Sequence, residues 1–172
     1  MTATKESLPL TDQISFRPEH PDDEALLYRL YASTRASEMA LTGWDAMRQE
    51  AFLRMQFQFQ TTHYRKHYGD ALFQIILLQD VPIGRLYVHY GPCEIRLMDI
   101  ALLAEHRGRG LGRSIIEDLM REAARQEKIV TLHVERFNPA LRLYQRLGFR
   151  VVEDQEINFF MQWRPAGGKT QR

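Results

Sequence analysis

A glycine- and arginine-rich turn lies between a predicted strand and a predicted amphipathic helix in the second half of the chain. From Arg107 to Arg113 the sequence reads RGRGLGR, so glycine and arginine occupy six of its seven positions. Glycine lets backbone N–H groups approach a ligand closely, and the first turn of a helix carries unpaired N–H donors at the positive end of its dipole. The turn therefore predicts a strand–turn–helix unit that cradles a phosphate or pyrophosphate, with a solvated loop as the alternative.

Two well-known phosphate-binding motifs do not fit this turn. A Walker loop ends in Lys followed by Ser or Thr, whereas Arg113 and Ser114 stand at the wrong spacing. A dinucleotide fingerprint needs a third glycine where Arg113 stands and a parallel βαβ unit near the N-terminus. A nucleic-acid-binding loop is disfavoured, because 23 basic and 22 acidic residues leave a net charge of +1 and stacking aromatic residues are lacking nearby.

Apolar periodicity predicts strands and helices in two successive arrangements. Three strands joined by short turns predict an antiparallel meander, and a strand–helix–strand unit follows it. Strands are predicted at 13–17, 72–78, 83–90, 94–103, 129–135, 149–153 and 157–163, and helices after Pro21 and at about 45–67, 110–127 and 138–147. The predicted fold class is α/β, with a mixed, mostly antiparallel sheet of about seven strands flanked by helices in a single domain.

The segment 45–67 fits two periodicities. Apolar and polar residues alternate from Leu53 to Phe59, as in a strand, while Met55 and Phe59 also fit a helical stripe. The segment is long for a strand, so we predict a helix. We expect the stripe of Met55 and Phe59 to pack in the core rather than to line a substrate pocket.

The composition is that of one globular domain. The chain has 172 residues, of which 44% are hydrophobic and 26% charged. We predict a domain over 13–164, an N-terminal tail at 1–12 and a flexible C-terminal tail at 165–172. A single cysteine, Cys93, excludes an internal disulfide and a multi-cysteine zinc site, and we predict no metal. The N-terminus lacks the apolar stretch of a secretory signal and no apolar run approaches ~20 residues, so we expect a cytoplasmic protein with no membrane partner.

Two sequence blocks carry a resemblance to a known family. The run Arg107-Gly108-Arg109-Gly110-Leu111-Gly112 is similar to the R/Q-x-x-G-x-G/A signature of the GNAT superfamily of N-acetyltransferases. The block from Asn138 to Phe149 resembles, in a looser form, the family's N-x-x-A-x-x-x-Y-x-x-x-G-F hallmark, and Asp99 to Ala104 looks like its fourth strand. The resemblance implies a GNAT-like fold whose sheet is splayed after the fourth strand. It also implies acetyl-CoA as cosubstrate and a primary amine, in a small molecule or a peptide, as acceptor.

The resemblance further implies which residues bind the cosubstrate. Backbone amides from Arg109 to Arg113 would hold the pyrophosphate, the pantetheine arm would lie beside the strand, and an N–H near Leu102 would bind the oxyanion. The residues assigned to cofactor binding are Ile100, Leu102, Arg107, Gly108, Arg109, Gly110, Leu111, Gly112, Arg113 and Asn138.

Acetyl transfer to an amine needs a base for the amine proton and an acid for the leaving thiolate. Tyr144 matches the position that donates a proton in many members of the family, and Glu94 aligns with a glutamate that some members use as the base. Asp99 or a chain of water molecules are alternatives to Glu94. We expect His133 to be hydrogen-bonded within the sheet and Cys93 to be buried and inert, because direct transfer needs no acyl-enzyme.

Two other functions are compatible with the same turn. A non-catalytic acyl-CoA-binding sensor or partner module would keep the cradle and lack a base. A nucleic-acid-binding module would use the RGRG run and lose affinity steeply with salt. A homodimer through sheet edges is a further expectation from similar proteins.

Overall fold

Seven strands form one sheet in the computed structural model, which describes residues 13–166. The strands are β1 Ile14–Pro18, β2 Leu72–Leu78, β3 Val81–Tyr90, β4 Glu94–Leu102, β5 Ile129–Glu135, β6 Arg150–Gln155 and β7 Asn158–Trp163. Their order across the sheet is β1-β2-β3-β4-β5-β7-β6, and only β4 and β5 pair in parallel. The predicted tail at 1–12 lies outside the described residues, as does most of the predicted tail at 165–172.

Four helices cover the two faces of the sheet in the described part of the chain. They are α1 Glu24–Ala40, α2 Ala46–His67, α3 Leu111–Arg125 and α4 Leu141–Arg146, with short 3-10 turns at Pro21–Asp23 and Ala104–His106. α1 and α2 pack against one face of the sheet, where Ile75 and Ala101 are buried. α3 and Tyr144 of α4 pack against the opposite face. The α/β class predicted from the sequence is confirmed.

The helix α2 presents a different face to the core than its sequence predicts. Leu53 and Phe57 are buried, whereas Met55 is 45% exposed and Phe59 is 64% exposed. The helix itself is confirmed, but the prediction that Met55 and Phe59 pack in the core is wrong. Because both stripes are apolar, periodicity could not distinguish the face that contacts α1 from the face that meets solvent.

Helix α4 begins later than predicted. The side-chain oxygen of Asn138 accepts a hydrogen bond of 2.9 Å from the backbone N–H of Ala140, so the chain makes a turn before the helix starts. Ala140, rather than Asn138, is the residue that precedes the first helical position. The predicted end of the helix is confirmed, since Gly148 adopts the left-handed conformation with φ of 92°.

The sheet separates between β4 and β5, as predicted. Residues Glu94 to Leu97 of β4 pair with Ile129 to Leu132 of β5, and neither strand pairs with the other beyond that point. β4 continues to Leu102 beside β3, and β5 continues to Glu135 beside β7. The far half of β4 therefore has one edge that β5 does not cover.

A β-bulge in β4 coincides with this separation. Tyr87 of β3 lies opposite Asp99 and Val88 lies opposite Leu97, so Met98 is an extra residue in β4. Leu97 belongs to the core under α3, while Ala101 belongs to the core under α1 and α2. Asp99 shares the face of Ala101 because side chains alternate along a strand. The bulge thus turns Asp99 towards the α1 and α2 side.

Candidate functional site

The glycine-rich turn has the backbone conformation that an anion cradle needs. Gly108 and Gly110 have φ angles of 70° and 81°, in the left-handed region that favours glycine. An added Cβ at either glycine would meet no atom within 4 Å, so the outer side of the turn is open. The N–H of Ser114 donates to Gly110 O at 3.0 Å, and the N–H groups of the preceding helical residues have no intrahelical acceptor.

The three arginines of the turn have different partners. Arg107 donates through Nε to Leu102 O at 2.8 Å and through Nη2 to Ser33 Oγ at 2.6 Å. Its guanidinium therefore connects the end of β4 to α1. Arg113 donates to Glu117 at 2.8 Å, and Arg109 lies 3.4 Å from a ring nitrogen of His106. Both of these side chains are exposed beside the helix N-terminus.

The open edge of β4 leads directly to this turn. Leu103 N donates to Ile83 O at 2.8 Å, so this residue directs its backbone groups towards β3. Alternate residues of an antiparallel strand direct their backbone groups to opposite edges. Ile100 and Leu102 therefore direct their N–H and C=O groups to the edge that β5 leaves uncovered. The arrangement can accept an extended ligand as an added strand.

Tyr144 approaches the same region from α4. The residue is 7% exposed and its ring packs edge-on against Phe149, with centroids 5.7 Å apart. Burial, together with the negative charge of Asp99, raises the pKa of the Tyr144 phenol above its usual value. No described residue hydrogen-bonds its hydroxyl. The phenol thus keeps its proton at neutral pH and has it available for a ligand.

Glu94 lies at the closed end of the split, where β4 and β5 still pair. Thr131 donates to one of its carboxylate oxygens at 2.9 Å, and Arg96 lies 3.3 Å from the other. The side chain is 30% exposed, so solvent reaches the carboxylate. Asp99, in contrast, lies on the separated half of β4, and its carboxylate is hydrogen-bonded by the buried guanidinium of Arg85.

His133 and Cys93 differ from their predicted environments. His133 is exposed, stacks on Phe160 with centroids 4.9 Å apart, and has no hydrogen bond to the described residues. Desolvation and the charge of Arg96 lower its imidazole pKa, so the ring is neutral at neutral pH. Cys93 is exposed rather than buried. His133 is on the α1 and α2 side because Leu132 faces the opposite core.

Side chains of α1 border the split on that side. Arg35 donates to Glu135 at the end of β5 and to Glu38 of its own helix, each at 2.9 Å. Burial opposes the charge of this guanidinium, but the two carboxylates outweigh it and raise its pKa, so Arg35 stays charged.

Trp44, after α1, packs edge-on against Phe52 at 5.4 Å between centroids and lies under the guanidinium of Arg48.

The sequence did not indicate Arg85 as a residue of this site. It is 3% exposed in the middle of β3, and it contacts Asp99 and Gln60 of α2. A charged residue within the apolar run of β3 was the available sequence clue. Its partner could not be identified because the bulge at Met98 changes which side chains of β4 face it.

Metal-binding clusters and membrane spans are both missing from residues 13–166. In that part of the chain, no group of three or more His, Cys, Asp or Glu side chains is arranged to hold a metal ion. No described helix combines the length and the apolar character needed to span a bilayer.

The sequence matches the model of one protein family. The family is described as the acetyltransferase (GNAT) family, and the match covers residues 27–149. This region includes most of α1, all of α2, the strands β2 to β5, the glycine-rich turn and Tyr144. No curated protein sequence matches the chain significantly.

Solved structures share the fold at low sequence identity. The PaiA N-acetyltransferase of Thermoplasma acidophilum, in complex with coenzyme A, is 17% identical with a TM-score of 0.65, over 88% of this chain and 99% of that one. An acetyltransferase from Thermus thermophilus is 23% identical with a TM-score of 0.64, over 89% and 97% of the two chains. Arabidopsis thaliana Naa50, in complex with the bisubstrate analogue CoA-Ac-MVNAL, is 14% identical with a TM-score of 0.58, over 89% and 99%.

Proposed function

We propose, from the premise that this chain belongs to the acetyltransferase (GNAT) family, that it transfers the acetyl group of acetyl-CoA directly to a primary amine. One observation carries the proposal: the uncovered edge of β4 leads to the open N-terminus of α3, and Tyr144 packs in the same core as Leu102 at the end of that strand. The structures similar to this one include complexes with coenzyme A and with a CoA-peptide analogue, which supports acetyl-CoA as the cosubstrate.

The pyrophosphate of the cosubstrate binds to backbone N–H groups from Arg109 to Arg113. The left-handed conformations of Gly108 and Gly110 orient the turn, and the positive end of the α3 dipole stabilises the anion. Exposed Arg109 and Arg113 add positive charge, while the guanidinium of Arg107 fixes the end of β4. The pantetheine arm pairs with Ile100 and Leu102, and Asn138 contacts it from the turn before α4.

Tyr144 is the proposed general acid. Its phenol holds a proton at neutral pH, whereas a thiol such as that of coenzyme A has a pKa of about 8.5. The thiolate that leaves the tetrahedral intermediate needs a hydrogen-bond donor, and an N–H on the open edge near Leu102 stabilises the oxyanion. The Tyr144 proton then goes to the sulfur as the C–S bond breaks.

Glu94 is the proposed general base, acting through water from the closed end of the split. An alkylammonium of pKa about 10.4 must lose a proton before its nitrogen can attack. Glu94 is reachable by solvent, and its carboxylate is held by Thr131 and Arg96. Asp99 is the alternative, but its carboxylate already accepts a hydrogen bond from the buried guanidinium of Arg85.

The test combines cosubstrate binding with turnover. Release of free thiol from acetyl-CoA is measured over a panel of alkylamines, polyamines, amino acids and peptides, for the wild type, Tyr144→Phe and Glu94→Gln. We expect each substitution to lower kcat by about 100-fold, within the range of general acid–base catalysis, with the Kd for coenzyme A unchanged. Tyr90→Phe, which removes a phenol bonded to Glu122 on the surface, is the matched control and leaves kcat unchanged.

Four other outcomes have distinct meanings. An unchanged kcat in Tyr144→Phe removes Tyr144 from the mechanism, and an unchanged kcat in Glu94→Gln removes Glu94. Binding of coenzyme A without turnover on any acceptor supports the acyl-CoA-binding module instead. Absence of binding at millimolar coenzyme A contradicts the proposed function as a whole.

A further inference from the structure

The pair formed by Arg85 and Asp99 is unfavourable for the protein to bury. Arg85 is 3% exposed, and its Nη2 donates to Asp99 Oδ2 and, at 3.2 Å, to Gln60 Oε1. Its Nε is buried without a hydrogen-bond partner among the described residues. Buried ion pairs contribute little net stability after desolvation, and an unsatisfied buried N–H adds a further cost. The placement of this pair therefore calls for a reason other than stability.

Asp99 has one oxygen fixed and one oxygen unused. Arg85 binds Oδ2, while Oδ1 has no hydrogen-bond partner within the described part of the chain. The side chain is 17% exposed, so this carboxylate is not sealed from solvent. Asp99 also lies on the length of β4 that β5 does not cover. A ligand in the split can reach the unused oxygen.

Asp99 lies next to the part of β4 that is proposed to bind the cosubstrate. It directly precedes Ile100, and its partner Arg85 also contacts Gln60 of α2. The bulge at Met98 is what directs it to the α1 and α2 side. This is the side on which Arg35 and Glu135 border the opening.

We propose that Asp99, positioned by Arg85, binds the ammonium form of the acceptor amine through its free carboxylate oxygen. The proposal rests on the proposed acetyl transfer and specifies its acceptor class as primary alkylamines that are cationic at neutral pH. Arg85 is a positioning residue, since it holds the carboxylate in place without touching the acceptor.

This arrangement binds the acceptor and leaves its deprotonation to another group. A carboxylate oxygen with no partner of its own can accept a charge-assisted hydrogen bond from an ammonium N–H. Asp99 can therefore orient the ammonium in the split while another group removes its proton. An uncharged aromatic amine gains no ionic contact at this position.

The experiment compares charged and uncharged acceptors of the same size. Cyclohexylamine is cationic and aniline is neutral near pH 7, and linear primary alkylamines extend the charged set. We measure KM and kcat for each, and the heat of binding of each amine to the enzyme saturated with coenzyme A. Asp99→Asn should raise KM and Kd for the alkylamines by about 10- to 100-fold, the value of a hydrogen bond to a charged group. Values for aniline and the Kd for coenzyme A should not change.

Four further variants keep the test informative. Asp99→Asn leaves the buried charge of Arg85 without its counter-ion, which destabilises the fold. The double variant Arg85→Gln with Asp99→Asn removes both charges and therefore separates the loss of amine binding from a loss of stability. It should show the same loss of alkylamine binding. Arg85→Lys should recover part of the affinity that Arg85→Gln loses. Glu105→Gln, which removes an exposed carboxylate paired with Arg29, is the control and should leave all values unchanged.

Failure of this inference differs from failure of the proposed function. Equal effects of Asp99→Asn on alkylamines and aniline, or no binding of any alkylamine to the wild-type complex, overturn the role of Asp99 even if acetyl transfer occurs. Absence of coenzyme A binding by the wild type overturns the proposed function as well.

Discussion

Single side chains connect the elements on either side of the split. Arg107 reaches from the glycine-rich turn to Ser33 of α1, and Arg35 reaches from α1 to Glu135 of β5. The sequence indicated the turn correctly because its glycines lie within a few residues of each other in the chain. It could not indicate that Arg107 contacts Ser33, since these residues are 74 positions apart and neither belongs to a shared local pattern.

Asp23 offers a prediction about stability at acid pH. Its two oxygens each accept a hydrogen bond of 2.7 Å from Arg17, and the backbone N–H of His20 donates to one of them at 2.8 Å. These contacts hold the pKa of Asp23 below its usual value. The stabilisation is therefore present above the unfolded-state pKa of about 3.9 and is lost as pH falls through the lower folded-state pKa.

We expect Asp23→Asn to lower the free energy of unfolding by about 2 kcal/mol at neutral pH, because it removes charge-assisted hydrogen bonds from a buried site. Urea unfolding at neutral pH measures this change. Asp22→Asn, at a neighbouring exposed carboxylate, is the control and should have little effect. Equal losses for both variants would show that the contacts of Asp23 contribute nothing specific.

Among the elements, β4 combines a confirmed prediction with a feature that its sequence did not predict. The strand and the separation of the sheet after it agree with the expectation from the family resemblance. The bulge at Met98 was not predicted. The strand sequence EIRLMDIAL has apolar residues on both sides of Met98, so it reads as one continuous strand. The pairing of β4 with β3, rather than the sequence of β4, determines the face of the sheet on which Asp99 lies.

Gly84 in β3 lies where β3 and β4 approach each other closely, so a substitution there tests whether that close approach is required. A Cβ at this position would collide with the backbone oxygen of Ala101 and lie 2.8 Å from the side chain of Leu102. Gly84→Ala should therefore displace the end of β4 and lower the free energy of unfolding by about 1–3 kcal/mol. Coenzyme A binding should weaken too, because Leu102 is in the proposed pantetheine strand.

Thermal unfolding and calorimetry with coenzyme A measure the two effects. Gly69→Ala is the matched control, since its added Cβ would make only an ordinary contact of 3.7 Å with Arg65 O. A wild-type melting temperature and wild-type affinity in Gly84→Ala would contradict the requirement for glycine at this contact.

Across the whole molecule, the sheet joins two halves through β4 and β5. The existence of the two final strands was predicted, but not that β7, rather than β6, pairs with β5. Both strands are short and form one hairpin, so only long-range pairing decides which of them lies inside the sheet. The available clue was composition, since β6 reads RVVEDQ and is exposed throughout, as is typical of an edge strand, whereas β7 reads NFFMQW and is partly buried.

The buried tyrosines predict how the whole fold responds to alkaline pH. Burial raises the folded-state pKa of Tyr64, Tyr87 and Tyr144 above the unfolded-state value of about 10. Their stabilising contribution is therefore complete below that value and is lost as pH rises towards the folded-state pKa. Each tyrosine adds a slope of about 1.4 kcal/mol per pH unit to the fall in stability.

Urea unfolding at several pH values above about 9 measures this slope. Tyr144→Phe should reduce the slope of the unfolding free energy against pH by the contribution of one tyrosine. The contributions of Tyr64 and Tyr87 to that slope should remain. A free energy of unfolding that stays constant above a pH of about 10 would contradict burial of these phenols in the neutral form.

Within residues 13–166, strand pairing between the two halves of the sheet is limited to Glu94–Leu97 with Ile129–Leu132. A cosubstrate lying along β4 would supply backbone partners beyond this short paired segment. The free energy of unfolding should then rise with the concentration of the cosubstrate, because the cosubstrate binds only the folded state. The protein should therefore unfold at the lowest temperature, and be cleaved fastest by a protease, when its acyl donor is scarce.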